Sequence, residues 1–168
     1  MRVLITNDDG VDSPLLHRLA DAISAEGAEV TVVAPDRERS GVGHGFTFLE
    51  PLFACEYSYA NYRCVTVDGL PADCVKFAIT HLMHEHLPDL VLSGINPTAN
   101  LGVAAVYSGT VAGAREGALY GIPAAAFSVY DNDPHTVSLA VDWIAEHFHN
   151  RFFDHIPSGK LWNINFPI

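Results

Sequence analysis

The sequence predicts an α/β fold in which a mostly parallel sheet carries helices on both faces. Two observations carry that prediction. Apolar runs of strand length alternate with segments whose apolar residues recur at helical spacing, as β-α units do. The 168 residues are also 49% hydrophobic and 17% charged, too apolar for a disordered chain and long enough for one well-buried core. No internal repeat or low-complexity tract interrupts the pattern, so one domain over residues 1–168 is expected.

Arg2 to Thr6 reads as the first strand. Asp12-Ser13-Pro14 then starts a helix, with Ser13 as cap and Pro14 at the first helical position, where its missing N–H is harmless. Leu15, Leu16, Leu19, Ala20 and Ile23 form its apolar face, and Gly27 stands where a left-handed cap would end it. Glu29 to Ala34 is the second strand, stopped by Pro35. A polar, glycine-punctuated loop follows from Asp36 to Gly45, and Phe46 to Val67 reads as a β-hairpin excursion. Helical spacing returns from Ala72 to His86 through Val75, Ala78, Ile79, Leu82 and Met83. Leu90 to Ser93 is a short buried strand, and Gly94 to Gly109 a long loop. A helix from Thr110 to Tyr120, a strand from Pro123 to Val129, a helix from Pro134 to His149 and a strand from Leu161 to Phe166 complete the chain.

Nine Lys and Arg against 20 Asp and Glu give a net charge of −11, which disfavours a nucleic-acid polymer as partner because such binding needs a basic footprint. Met1 leads directly into a strand-like run with no signal-peptide pattern, and no apolar stretch approaches the roughly 20 residues of a membrane helix. Cys55, Cys64 and Cys74 are odd in number and form no C-x-x-C pair, against a disulfide framework or a zinc cluster. A soluble cytoplasmic protein without membrane contact is the expectation.

In an open parallel sheet the ligand site lies beyond the carboxyl ends of the strands. There this sequence places Asn7-Asp8-Asp9-Gly10, Asp36-Arg37-Glu38-Arg39-Ser40-Gly41 and Ser93-Gly94-Ile95-Asn96. Asp8, Asp9, Ser40 and Asn96 make an all-oxygen donor set, suited to a hard divalent cation such as Mg²⁺ or Mn²⁺ and not to Zn²⁺. Two neutral donors would keep such an ion electrophilic, with positions open to water, as metal-assisted hydrolysis requires. The competing explanation is a plain turn, since Asn, Asp and Gly are ordinary turn residues. Against it, adjacent carboxylates repel unless a cation joins them.

Tyr107-Ser108-Gly109-Thr110 ends the long loop at a helix start. Free N–H groups and the helix dipole make an anion site there, with Ser108 and Thr110 as hydroxyl donors; simple capping is the commoner use of such residues, and the two roles are compatible. Ser40 to Gly45 lacks the dinucleotide-binding spacing, although Gly41 and Gly43 could turn their backbone to a substrate. His81 and His84 read as solvated helix residues. His44 has no visible partner in the sequence, and Arg37 and Arg39 could pair with a phosphate or with nearby acids.

Five blocks in order resemble the SurE (survival protein E) family. They are Thr6 to Gly10; Ala34 to Arg37 with Ser40-Gly41; Ala72 to Val75; Ser93 to Asn96 with Asn100 to Gly102; and Tyr107 to Val111 with Glu116-Gly117. The closing Asn163 to Pro167 also resembles the family. The resemblance implies a Rossmann-like three-layer α/β/α fold and a metal-dependent phosphomonoesterase acting on nucleoside 5′- and 3′-monophosphates. It matches Asp8, Asp9, Ser40 and Asn96 to the ligands of one divalent cation per subunit, with Asp8 and Asp9 at the catalytic centre. It matches Asn100 and Ser108, Gly109 and Thr110 to the phosphate site, with backbone amides near Gly41 added from the loop reading.

Thr98, Gly45 and Val103-Ala104 depart from the family, which has Gly, often Ser, and commonly two acidic residues there. The chain also stops at Ile168, where the family continues into a C-terminal region that builds subunit contacts, so a homodimer or homotetramer is expected where that region is present. Two other readings stand beside this one. The first is a non-catalytic relative that binds nucleotide and metal. The second, ranked lower, is a haloacid-dehalogenase-like phosphatase with Asp8 as nucleophile; those enzymes carry a second Asp two residues on, and here that position is Gly10.

Overall fold

The computed structural model describes residues 1–59 and 61–167. Ala60, inside the predicted hairpin, and Ile168, the last residue, lie outside the described residues. The elements are β1 (Arg2–Thr6), α1 (Pro14–Ala25), β2 (Glu29–Pro35), β3 (Ala54–Glu56), β4 (Arg63–Val67), α2 (Pro71–Phe77), β5 (Leu90–Asn96), α3 (Ala104–Tyr107), α4 (Gly109–Leu119), β6 (Ala124–Val129), α5 (Pro134–His149) and β7 (Leu161–Phe166). Among the described residues the strands form one seven-stranded sheet in the order β3-β4-β2-β1-β5-β6-β7. Every neighbouring pair is parallel except β3 with β4.

Side chains alternate across the sheet, and each face buries its own core. Val3, Ile5, Val32, Leu92 and Phe127 pack with Leu16 and Leu19 of α1 and Val137 and Ile144 of α5. On the opposite face Leu4, Val33, Val91 and Ala126 pack with Val75 of α2 and Val111 and Ala114 of α4. These are the three layers expected. From β1 the chain moves outward through β2 to β4, then returns to place β5 on the other side of β1. The order therefore reverses between β1 and β5, and a crevice opens at their carboxyl ends.

The hairpin excursion is present, but its second strand is a full member of the sheet, parallel to β2 through pairs from Thr31–Arg63 to Pro35–Val67. Pro35 thus belongs to β2 instead of stopping it. α2 begins with Pro71 and is continued only by a wide turn over Ala78–Leu82, short of the predicted His86. The Met83 amide reaches back to the Ala78 carbonyl, and Pro88 bars a helical path into β5. β5 runs on past Ser93 to Asn96, with a shift in its register against β6, and carries Asn96 on the sheet edge itself. Gly94, at φ 127°, is required there because a side chain would strike the Phe127 carbonyl. The predicted long loop therefore contains the end of β5 and all of α3. Ser13 precedes α1 as expected, yet its side chain makes no capping bond.

α4 sits unusually close to the sheet. A Cβ at Gly113 would lie 2.8 Å from Thr6 Cγ2, and one at Gly117 would lie 2.7 Å from Val91 Cγ2. Small residues on this face let the helix approach β1 and β5, which brings its N-terminus against the loop after β1.

Candidate active site

The loop after β1 is a turn closed by its flanking residues. Asn7 Nδ2 donates to the Gly10 carbonyl (2.9 Å), and the Gly10 amide donates to Asn7 Oδ1 (3.3 Å). Turn chemistry thus accounts for Asn7 and Gly10 and leaves the carboxylates of Asp8 and Asp9 unexplained. Asp8 is only 5% exposed and Oδ1 accepts the Thr110 hydroxyl at 2.5 Å. Gly109 makes room for this: a Cβ there would sit 2.7 Å from Asp8 Cβ. Burial raises the Asp8 carboxyl above the usual range, opposed by the Thr110 hydroxyl and the Thr110 and Gly109 amides.

Asp9 is less well provided for. Its Oδ2 is buried with no hydrogen-bond partner. Burial, then the charges of Asp8 and Glu38, push its pKa up to about 7. Ser40 Oγ donates to Glu38 Oε1 at 2.7 Å, which directs its proton outward and leaves its lone pairs free. Asn96 Nδ2 donates to both the carbonyl and the hydroxyl of Thr98, so its amide nitrogen is occupied and Oδ1 remains as an acceptor. The departure at Thr98 therefore adds a second acceptor that orients Asn96. Two carboxylates short of cationic partners and two neutral oxygens fit a hard divalent cation. Among the described residues no group of three or more His, Cys, Asp and Glu side chains could hold a metal, consistent with a set half made of neutral oxygens.

Asp8, Ser40, Gly41, Asn96, Thr98, Asn100, Tyr107 and Ser108 line one open cleft of about 330 Å³. Asp9 lines an adjoining depression with Glu38 and Pro97. Ser108 caps α4 by accepting the Val111 amide at 3.1 Å, and its own hydroxyl proton stays available to an anion. Asn100 is held from three sides: its amide donates to Asn165 Oδ1, its carbonyl accepts from Asn163 Nδ2, and its Nδ2 donates to Ser128 Oγ. Thr110 is fully buried with its hydroxyl turned to Asp8, so that hydroxyl orients the carboxylate.

The partners of two residues had almost no signal in the sequence. Glu38 accepts the Ser40 hydroxyl and charges the surroundings of Asp9. His44, without a visible partner in the sequence, bonds Glu116 through Nε2 at 2.7 Å. The one available signal was Glu116 itself, an acid within the small-residue run of α4.

A larger cavity, about 450 Å³, opens at the other end of the sheet between Arg2, Glu29, Arg63 and His84. Its arginines are already paired, Arg2 with Asp89 and Arg63 with Glu56. Chemistry, not size, singles out the cleft at the switch point. No described helix is long and apolar enough to cross a membrane.

Comparison with known proteins agrees with this fold. The family model for Survival protein SurE matches residues 3–168. A 5′-nucleotidase SurE of Solidesulfovibrio magneticus is 42% identical over 99% of this chain and 65% of its own length. One from Vibrio cholerae is 43% identical over 99% of this chain and 64% of its own. The crystal structure of a SurE protein from Aquifex aeolicus superposes with a TM-score of 0.86 at 39% identity, covering 99% of this chain and 66% of that one. The chain thus spans a little under two thirds of the length of these relatives.

Proposed function

The chain belongs to the SurE family, and from that membership we propose that it is a metal-dependent nucleotidase that releases phosphate from nucleoside 5′- and 3′-monophosphates. The observation that carries the reading is the buried, unpartnered Oδ2 of Asp9 beside Asp8, at the point where the strand order reverses. Members of the family are metal-dependent, and the curated relatives are named 5′-nucleotidases.

Asp8, Asp9, Ser40 and Asn96 are the residues that would hold one Mg²⁺ or Mn²⁺. When bound, the ion supplies charge to the phosphoryl oxygens and lowers the pKa of a coordinated water. The chain's own residues do the rest. Thr110 fixes Asp8 through Oδ1. The Ser108 hydroxyl, the second Nδ2 hydrogen of Asn100 and backbone amides near Gly41 serve as donors to a phosphate in the cleft these residues line, and the partial positive charge at the start of α4 favours its dianion. An acidic protein thereby accepts a small anionic ester, while its net charge of −11 still repels a nucleic-acid polymer.

The comparisons favour neither alternative reading. We also assign the protein to the cytoplasm, for which three unpaired thiols are suited, and to homodimers or homotetramers. The test is phosphate release from a panel of nucleoside monophosphates with and without chelator. Cation-dependent release supports the proposal; metal and nucleotide binding without release would favour the non-catalytic relative.

A further inference from the structure

The cleft wall that carries Ser40 and Gly41 is a short bridge hung between two anchors. On one side the Arg39 amide donates to the Asp8 carbonyl at 2.7 Å. On the other the Gly43 amide donates to the Tyr107 carbonyl at 2.8 Å, and His44 Nε2 meets Glu116 Oε2 at 2.7 Å. A carboxylate only accepts, so Nε2 carries the hydrogen. The His44 and Glu116 side chains are 21% and 11% exposed and come from positions 72 residues apart. Between the anchors, Ser40 and Gly41 make no hydrogen bond to the opposite wall among the described residues, and the Ser40 hydroxyl turns back to Glu38 of its own loop.

Glu116 stands on α4, the helix whose start supplies Ser108 and whose Thr110 holds Asp8. Seven residues of helix separate Gly109 from Glu116, about 10 Å. α4 is therefore a rigid spacer that touches Asp8 at one end and the Ser40 loop at the other. Arg115 adds a tie from the same helix to the Ala105 carbonyl in α3.

We propose that the His44–Glu116 hydrogen bond is a latch that sets the separation between the Ser40–Gly41 wall and the Asp8–Ser108 wall, making both residues positioning residues for the cation and the phosphate. The role in ligand placement rests on the nucleotidase reading; the latch itself does not. Its loss frees the bridge at one anchor and moves Ser40 away from the carboxylates, while the sheet that carries Asp8, Asp9 and Asn96 stays in place.

The experiment uses the full chain with His44→Ala, Glu116→Ala, the double variant and His44→Gln. In the metal-free protein, hydrogen exchange of the Gly43 amide reports on the latch alone. Exchange faster by about tenfold in either alanine variant, the scale of one charge-assisted hydrogen bond, supports it; unchanged exchange overturns it whatever the metal does. In Mn²⁺ titrations both alanine variants weaken affinity by about tenfold and raise KM more than they lower kcat. The double variant is no weaker than the worse single one, and His44→Gln, whose amide can donate to Glu116, recovers most of the loss. Unchanged Mn²⁺ affinity in a variant that merely melts earlier, or additive losses, would overturn the positioning role. Wild-type protein that binds no Mn²⁺ would instead overturn the nucleotidase reading, and with it that role.

Discussion

Asp73 and Asp9 both follow the carboxyl end of a strand of the same sheet, Asp73 in the first turn of α2 after β4 and Asp9 in the loop after β1, and their surroundings are opposite. Asp73, 2% exposed at the start of α2, accepts the Thr47 amide, the Thr47 hydroxyl and the Leu70 amide at 2.8 to 3.1 Å. Both oxygens have donors, and the residue pins the start of the Phe46–Val67 excursion to a helix. Asp9 has an oxygen with no donor at all and two acidic neighbours. A satisfied buried carboxyl serves the fold's own stability; an unsatisfied carboxylate oxygen beside a second carboxylate at a switch point calls for a partner that the chain itself does not supply.

Substitutions should separate the two. Asp73→Ala leaves several donors without a partner and should destabilise by about 3 kcal/mol, measured by urea unfolding, with little change in the Mn²⁺ affinity of the folded fraction. Gly109→Ala forces a methyl into Asp8 and should cost about 2 kcal/mol while also displacing the carboxylate, so stability and metal affinity fall together. That joint loss would tie the small-residue face of α4 to the site and not merely to packing.

The contrast also has a pH signature. The Asp9 carboxyl titrates near 3.8 when unfolded and at about 7 in the metal-free fold. Between those values the unfolded chain releases a proton that the fold keeps, so metal-free stability falls as pH rises through this window. A divalent cation favours the ionised form, and the rise in Tm produced by Mn²⁺ should grow over the same range. Thermal melts at about pH 5 and about pH 8 with and without chelator check this; a Mn²⁺ effect that shrinks with pH would go against it. The smallest effect belongs to Ser40→Ala, a neutral donor on the loop, with Mn²⁺ binding weaker by about tenfold and unfolding nearly unchanged.

The same division explains what could be read from the sequence. Periodicity located the strands and helices because one side of every element meets a core, and the carboxyl-end rule then selected the loops carrying Asp8, Ser40 and Asn96. Local pattern could not show that β4 lies beside β2, since pairing joins Val65 to Val33 across a long excursion. It ended β5 early because Ser93, Gly94 and Asn96 break the apolar run although the backbone stays in the sheet. The contact of Thr110 with Asp8 had no local signal because it depends on how closely α4 approaches, a tertiary property. His44 and Glu116 carry no mutual signal at their separation.

In the proposed reading one divalent cation joins Asp8, in the cleft, to Asp9, in the neighbouring depression. Calorimetric titration of Mn²⁺ into wild-type protein and the Asp9→Asn variant tests it most directly. We expect one site per chain in the wild type and none in the variant, which should remain folded and melt no lower than the wild type without metal, because a repelling charge is gone. An Asp9→Asn protein that binds Mn²⁺ as the wild type does would contradict the assignment.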